Sequence, residues 1–474
     1  MSQQQNQMNE ADILIEHGVV ITMDSARRIL WDGSVAISAG RIIAVGSTKE
    51  LAGTIRAQRV IDARRKAVLP GFVDTHHHCM QAFFKGSSDD CALEEWIDNE
   101  SAPRICMAVD DYAHDDPSLE EHATRVGCAE ALLCGITTLL NMEWATPASL
   151  IDIYEEIGIR AVHTLTMTDH DQWDRPGMLM PMDNAWSLSE RLIERASRSR
   201  DGRVTFRYAL ACPNSCTTEL MQEVRRQATA RGVGIHIHIA ETKFEWDNMH
   251  ALYGKTPVQY LESIGLLGPD VLGAHCIWLD DDDIQIMART GTTVAHCPEC
   301  NMKVADGAAP IAKMLKAGVV VSVATDSCAV NDNMDMLEAA RTAAFLQKLT
   351  HNDPAVISGA QALEMATLGG ARALGMGDEL GSLEAGKKAD VILIDLTGAH
   401  LRPIHTIANN LVYSGSATHD VHTVIVDGKI VVEDRELLTM DAEKLLSDAE
   451  AYNVKRSQEA GLYVSPYYTT HLGI

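Results

Sequence analysis

Positive charge is scarce in this chain. Its 474 residues carry 40 Lys and Arg against 66 Asp and Glu, a net charge of −26. Nucleic acid and anionic membranes both need basic patches that displace counterions, so neither is expected as a partner. Long apolar runs are also missing. None approaches the roughly 18 residues that mark a membrane span, and the opening MSQQQNQMNEADILI lacks a charged-then-apolar leader pattern. There is no internal repeat and no low-complexity tract. The 11 cysteines are odd in number and scattered, with Cys128, Cys134 and Cys276 in apolar contexts. That usage reads as reduced, packed thiols and a cytoplasmic location.

What is present is a core-forming chain, 46% hydrophobic, with two rhythms. The first 65 or so residues and the stretches ADVILIDL (from Ala389) and VHTVIVDGKIVVEDREL (from Val421) read as short alternating strands, with DGK as a tight hairpin turn. Strand segments at opposite ends of a chain can pair, so residues 1–69 and 386–440 are expected to form one small β-sandwich domain. Residues 441–474 are expected as a solvated closing helix and tail. Between them, residues 70–385 alternate β-branched runs with amphipathic helices. VLPGFVDTH, GITTLLNM, RAVHTLTM, TFRYALAC, GIHIHIAE, VLGAHC, TTVAHC and VVVSVATD are the strand candidates. Eight parallel strands linked by helices predict an α/β fold, a closed (β/α)8 TIM-type barrel.

Active sites of such barrels sit where the strands end. Strand one ends in His76-His77-His78, strand five in His236, His238 and Glu241, strand six in His275, strand seven in His296 and strand eight in Asp326. Side chains alternate along a strand, so His76 and His78 share a face and His77 faces away. An H-x-H pair can grip one ion from two directions. His238 and Asp326 can complete a set of three imidazoles and one carboxylate. That set suits Zn²⁺ first, and also Fe²⁺, Co²⁺ or Mn²⁺. Such an ion acidifies a bound water and makes it a nucleophile. His77 and His236 are read as packed or hydrogen-bonded residues, with a supporting role behind the ligands as the alternative for His236, which shares a face with His238.

The segments DTHHH, HIHIAET, GAHC and VATDS, in this order and spacing, resemble the amidohydrolase superfamily. The tail ALEMATLGGARALGMGDELGSLEAGKKADVILIDL resembles the stretch that leads that family back into its small β domain. The likeness runs from ILIEHGVVITMD to VIVDGK. It is strongest to the mononuclear aminohydrolase branch, which holds adenosylhomocysteine and methylthioadenosine deaminases, guanine and 8-oxoguanine deaminases and s-triazine hydrolases. Two-metal members bridge their ions with a carboxylated lysine after strand four. TFRYALACPNS has no lysine, which implies one divalent ion per chain. The resemblance makes His76, His78, His238 and Asp326 the ligands, Glu241 the proton shuttle and His275 the group that orients water. It also implies a homodimer or larger assembly.

Substrate choice rests on loops. Trp96, Asn214, Asn301 and Ser327, with Trp173, are the pocket candidates. Ile105 stands where the nucleoside deaminases carry an acidic residue, which favours a purine base, pterin or triazine over a nucleoside. CPEC (Cys297 to Cys300) has the wrong spacing for a cytidine-deaminase zinc site, and LDDDDI reads as an acidic helix start. The leading expectation is therefore a deaminase of a small nitrogen heterocycle. Its alternatives are a hydrolase of the same fold that cleaves a C–Cl, urea, carbamate or amide bond, and a barrel that binds without catalysis.

Overall fold

The computed structural model describes residues 8–87, 90–170 and 177–461. Eight parallel strands form one sheet in strict sequence order: Phe72–His77, Ile136–Asn141, Arg160–Met167, Val204–Leu210, Ile235–Ile239, Val271–His275, Thr293–His296 and Val321–Val323. These are the eight runs read from sequence. Residues in the third are buried along its whole length, which is why it is apolar and β-branched rather than alternating. The sheet closes just past the last strand. His77 and Asp326 form a parallel bridge, and the Asp326 N–H donates to the His76 carbonyl at 3.0 Å. Asp74 pins the closure from beneath: its carboxylate accepts the Thr325 hydroxyl at 2.5 Å and the Thr325 N–H at 3.2 Å.

A second, nine-stranded mixed sheet is built from both ends of the chain. Its seam is the antiparallel pair Lys66–Pro70 and Val391–Asp395, with Val68 opposite Leu393. Ile13, Ile15, Val35, Val68, Val391, Leu393 and Ile425 from the two ends share one core, so the sheet folds over itself in the sandwich manner expected. The DGK turn holds Asp427 (φ 48°) and Gly428 (φ 72°) left-handed, as a tight hairpin requires. From this sheet the chain crosses to the barrel at Gly71. A Cβ there would lie 2.1 Å from the Thr137 hydroxyl, so only glycine fits.

Sheet and barrel are joined by a buried charge cluster. Arg160, at the start of the third barrel strand, donates to both oxygens of Asp390 (2.9 and 3.0 Å) and to Asp427 (2.6 Å). The helix Ala442–Glu459 is less solvated than expected. Its Tyr452 ring stacks on His122 at 4.6 Å and its Arg456 pairs with Asp111. LDDDDI opens the helix Asp281–Thr290 with a capping box of Asp280 and Asp283. Pro298 of CPEC sits in the first turn of Pro298–Lys303, and all 11 cysteines are free. Among the described residues no helix is long and apolar enough to cross a membrane.

Candidate active site

The strand ends converge at the mouth of the barrel. His76 Nε2 lies 3.3 Å from Asp326 Oδ1, and His78 Nε2 lies 3.7 Å from the same oxygen. Ligand atoms of His76, His78 and His238 fall within 4.8 Å of one another, as do those of His76, His275, Cys297 and Asp326, and those of His238, Glu241 and His275. His77 points elsewhere, its Nδ1 3.2 Å from the Thr325 hydroxyl. Alternation along the first strand produces that division.

Hydrogen bonds fix which nitrogen each imidazole presents. His78 Nδ1–H donates to the Met142 carbonyl (2.5 Å), and His238 Nδ1–H to the Ala211 carbonyl (2.6 Å). Each therefore turns an Nε2 lone pair inward. His76 reaches the same state by a relay. His236 Nδ1–H donates to the Leu272 carbonyl (3.0 Å), so its Nε2 must accept, and it accepts from His76 Nδ1–H at 2.8 Å. His76 Nε2 is left buried without a partner. Burial and neighbouring imidazoles push His78 down to about 3 and His238 well below its ordinary value, so both are neutral at neutral pH. Three imidazoles, one of them with an orphaned buried nitrogen, and a carboxylate are a donor set that fits a divalent metal ion.

The reacting groups stand beside this set. Glu241 Oε1 is 3.4 Å from His275 Nε2, and Asp326 Oδ2 is 3.9 Å from the same nitrogen. Burial, then the charges of Asp326, Glu245 and Glu94, push the Glu241 carboxyl well above the usual range. Glu245 braces the turn that carries it, accepting the N–H of Ala240 (2.9 Å) and Glu241 (3.0 Å). Ala240, His275, Cys276 and Asp326 all hold positive φ (51, 66, 51 and 57°), a costly conformation for side-chain-bearing residues and one concentrated at functional sites.

The pocket above is walled by Trp96, Ile105, Trp144, Asn214, Phe244 and Ser327, among others. Asn214 offers both amide atoms without a partner, and the indole N–H groups of Trp96 and Trp144 are likewise unbonded. Asn301 requires a correction. It is fully buried and does not line the pocket; its Oδ1 lies 3.0 Å from His275 Nδ1, behind the imidazole, and accepts its N–H in the tautomer that leaves Nε2 free. Trp173 lies outside the described residues. His236 takes the supporting place that was its alternative: it is the hydrogen-bond partner of His76. His296 is buried with neither ring nitrogen bonded. Sequence reading also missed Gln81, Trp144 and Glu245. Glu245 stands three residues after the N-cap Thr242, a capping signature that was legible; Gln81 and Trp144 carry no local signal.

A parallel barrel whose strand ends gather imidazoles and carboxylates around an ion-sized space defines a metal-dependent hydrolase class. The chain belongs to the amidohydrolase family, whose profile matches residues 67–431, and it is a hydrolase of C–N bonds. It is 38% identical over 445 residues to a 5'-deoxyadenosine deaminase of Methanosarcina barkeri, covering 93% of this chain and 97% of that one. An adenosine deaminase of Xanthomonas campestris with bound zinc superposes with TM-score 0.88 at 30% identity, covering 96% and 100% of the two chains. The atrazine chlorohydrolase of Arthrobacter aurescens, also with zinc, gives TM-score 0.83 at 25% identity, covering 93% and 100%.

Proposed function

We propose that this chain removes the exocyclic amino group of a nitrogen heterocycle as ammonia, with an aminopurine bearing an apolar substituent as its preferred class. One divalent ion per chain, Zn²⁺ first, is assigned to His76, His78, His238 and Asp326. When bound it supplies a Lewis acid that makes water nucleophilic near neutral pH. Glu241, kept protonatable by its burial, takes a proton from that water and passes it to the ring nitrogen beside the attacked carbon. His275, steadied by Asn301, would orient the water through Nε2, take its second proton there, stabilise the charge that builds on oxygen and hand that proton to the amino group as it leaves as ammonia. Asn214 and the free indole N–H groups bind the ring edge.

The observation that carries this reading is Glu241 Oε1 standing 3.4 Å from His275 Nε2 at the rim of the three-imidazole cluster. The relatives named as adenosine-type deaminases support the leaving group. A second reading, displacement of chloride from a triazine, is supported by the apolar wall of Leu93, Ile97, Ile105, Phe244 and Val330. One assay separates them: metal-loaded protein is offered 5'-deoxyadenosine, 5-methylthioadenosine, guanine and melamine with ammonia as readout, and atrazine with chloride as readout. Ammonia from a purine supports the first reading; chloride alone overturns it.

A further inference from the structure

A second cavity, of about 170 Å³, shares no lining residue with the catalytic pocket. Its walls include the polar Asp111, Glu120 and Ser149 and the apolar Ala108, Leu119 and Pro147. Acidic residues together prove little, but Glu120 is more than an acidic residue here. It is 3% exposed, and neither carboxylate oxygen has a hydrogen-bond partner. Asp111 Oδ2 and Ser149 Oγ are also unbonded. Outside the lining, the buried Glu143 accepts the Met80 N–H at 2.7 Å with one oxygen and leaves the other bare. Arg456 reaches the group and is held by Asp111; no Lys or Arg is among the described residues that line the cavity.

We propose that this cavity is a binding site for a small alkylammonium ion. Buried oxygens without partners are costly, and a ligand that donates several hydrogen bonds removes that cost. When ionised, the Glu120 and Asp111 carboxylates only accept, which matches a ligand that donates hydrogen bonds and carries positive charge. A bare divalent ion fits poorly: among the described residues, three ligand atoms converge to within 4.8 Å of one another only at the catalytic mouth. An ammonium head can pair with the bare Glu120 carboxylate and keep its remaining N–H groups for a neighbouring acceptor or water, and Ala108, Leu119 and Pro147 give its alkyl stem an apolar wall. Burial and then Asp111 push the empty Glu120 up to about 8. The rival occupant is thus a proton on Glu120 with water filling the rest.

Calorimetric titration of the metal-loaded protein with propylammonium chloride decides between them, with tetramethylammonium chloride at equal ionic strength as the cation that cannot donate. Saturable binding of propylammonium, weakened tenfold or more in Glu120→Gln and absent for tetramethylammonium, supports the site. No saturable binding, equal binding of the two cations, or equal affinity in wild type and Glu120→Gln overturns it. If Glu120→Gln does not fold, Ser149→Ala takes its place: loss of affinity for propylammonium supports the site, and unchanged affinity overturns it.

Discussion

His76 and His236 share a hydrogen bond of 2.8 Å, Nδ1 to Nε2, and the Leu272 carbonyl at the far end of His236 gives it its direction. The proton sits on His76 Nδ1 because His236 has already spent its own. A neutral imidazole thus does for His76 what backbone carbonyls do for His78 and His238. His236→Gln can still offer an amide oxygen, whereas His236→Phe leaves the His76 N–H unpaired. Competition with a chelator should show metal affinity falling ~10- to 100-fold in the Phe variant, the usual effect of losing a ligand's orienting partner. The Gln variant should recover much of it. Equal affinity in all three proteins would show that the relay does not position His76.

The ligand set makes its own prediction. Purified protein should hold one divalent ion per chain by elemental analysis. Asp326→Ala and His238→Ala should lose it, while His77→Ala should retain it, because His77 turns to Thr325. Two ions per chain, or loss in His77→Ala equal to that in His76→Ala, would contradict this assignment.

The Arg160 cluster predicts a large stability effect far from any substrate. Arg160→Met leaves the buried Asp390 without its cation and leaves Asp427 only the longer contacts to Arg203 (3.5 Å) and Lys388 (3.8 Å). Breaking a buried pair in this way costs ~3–5 kcal/mol, so the midpoint of urea unfolding should drop sharply. Arg160→Met combined with Asp390→Asn and Asp427→Asn should recover part of the loss. An unchanged midpoint in the single variant would mean the sheet and barrel are held by apolar packing alone.

The barrel was legible because its strands are rich in apolar and β-branched residues, and strands one, five, six, seven and eight end at or just before a histidine, glutamate or aspartate. Period-two alternation along DTHHH was enough to separate His77 from its neighbours. The partners of Asn301 and His236 were not legible for a common reason: what each touches lies on another strand. Asn301 follows His296 in sequence but meets His275, and His236 sits one barrel layer below the mouth, under His76. Local pattern gives the face of a side chain; the neighbour it meets across the barrel depends on strand stagger, which no short window contains. The same holds for Glu120, whose sequence context is an ordinary acidic first helical turn.

Glu241 gives the sharpest test of chemistry. It stands in the pocket beside His275, with a carboxyl held by burial in a state that can carry a proton. Glu241→Gln preserves its size and much of its hydrogen bonding but cannot exchange a proton with water. With the best substrate from the panel, turnover should fall ~10²- to 10⁴-fold, the range for a lost general acid–base group, while metal content and thermal midpoint stay at wild-type values. His275→Asn should lower turnover with little change in KM, because the interaction it removes forms as charge develops. Turnover in Glu241→Gln within about threefold of wild type would remove Glu241 from the proton path. The reaction would then be one that needs no protonated ring nitrogen, and displacement of a group that leaves as an anion, such as chloride, would become the better account of this pocket.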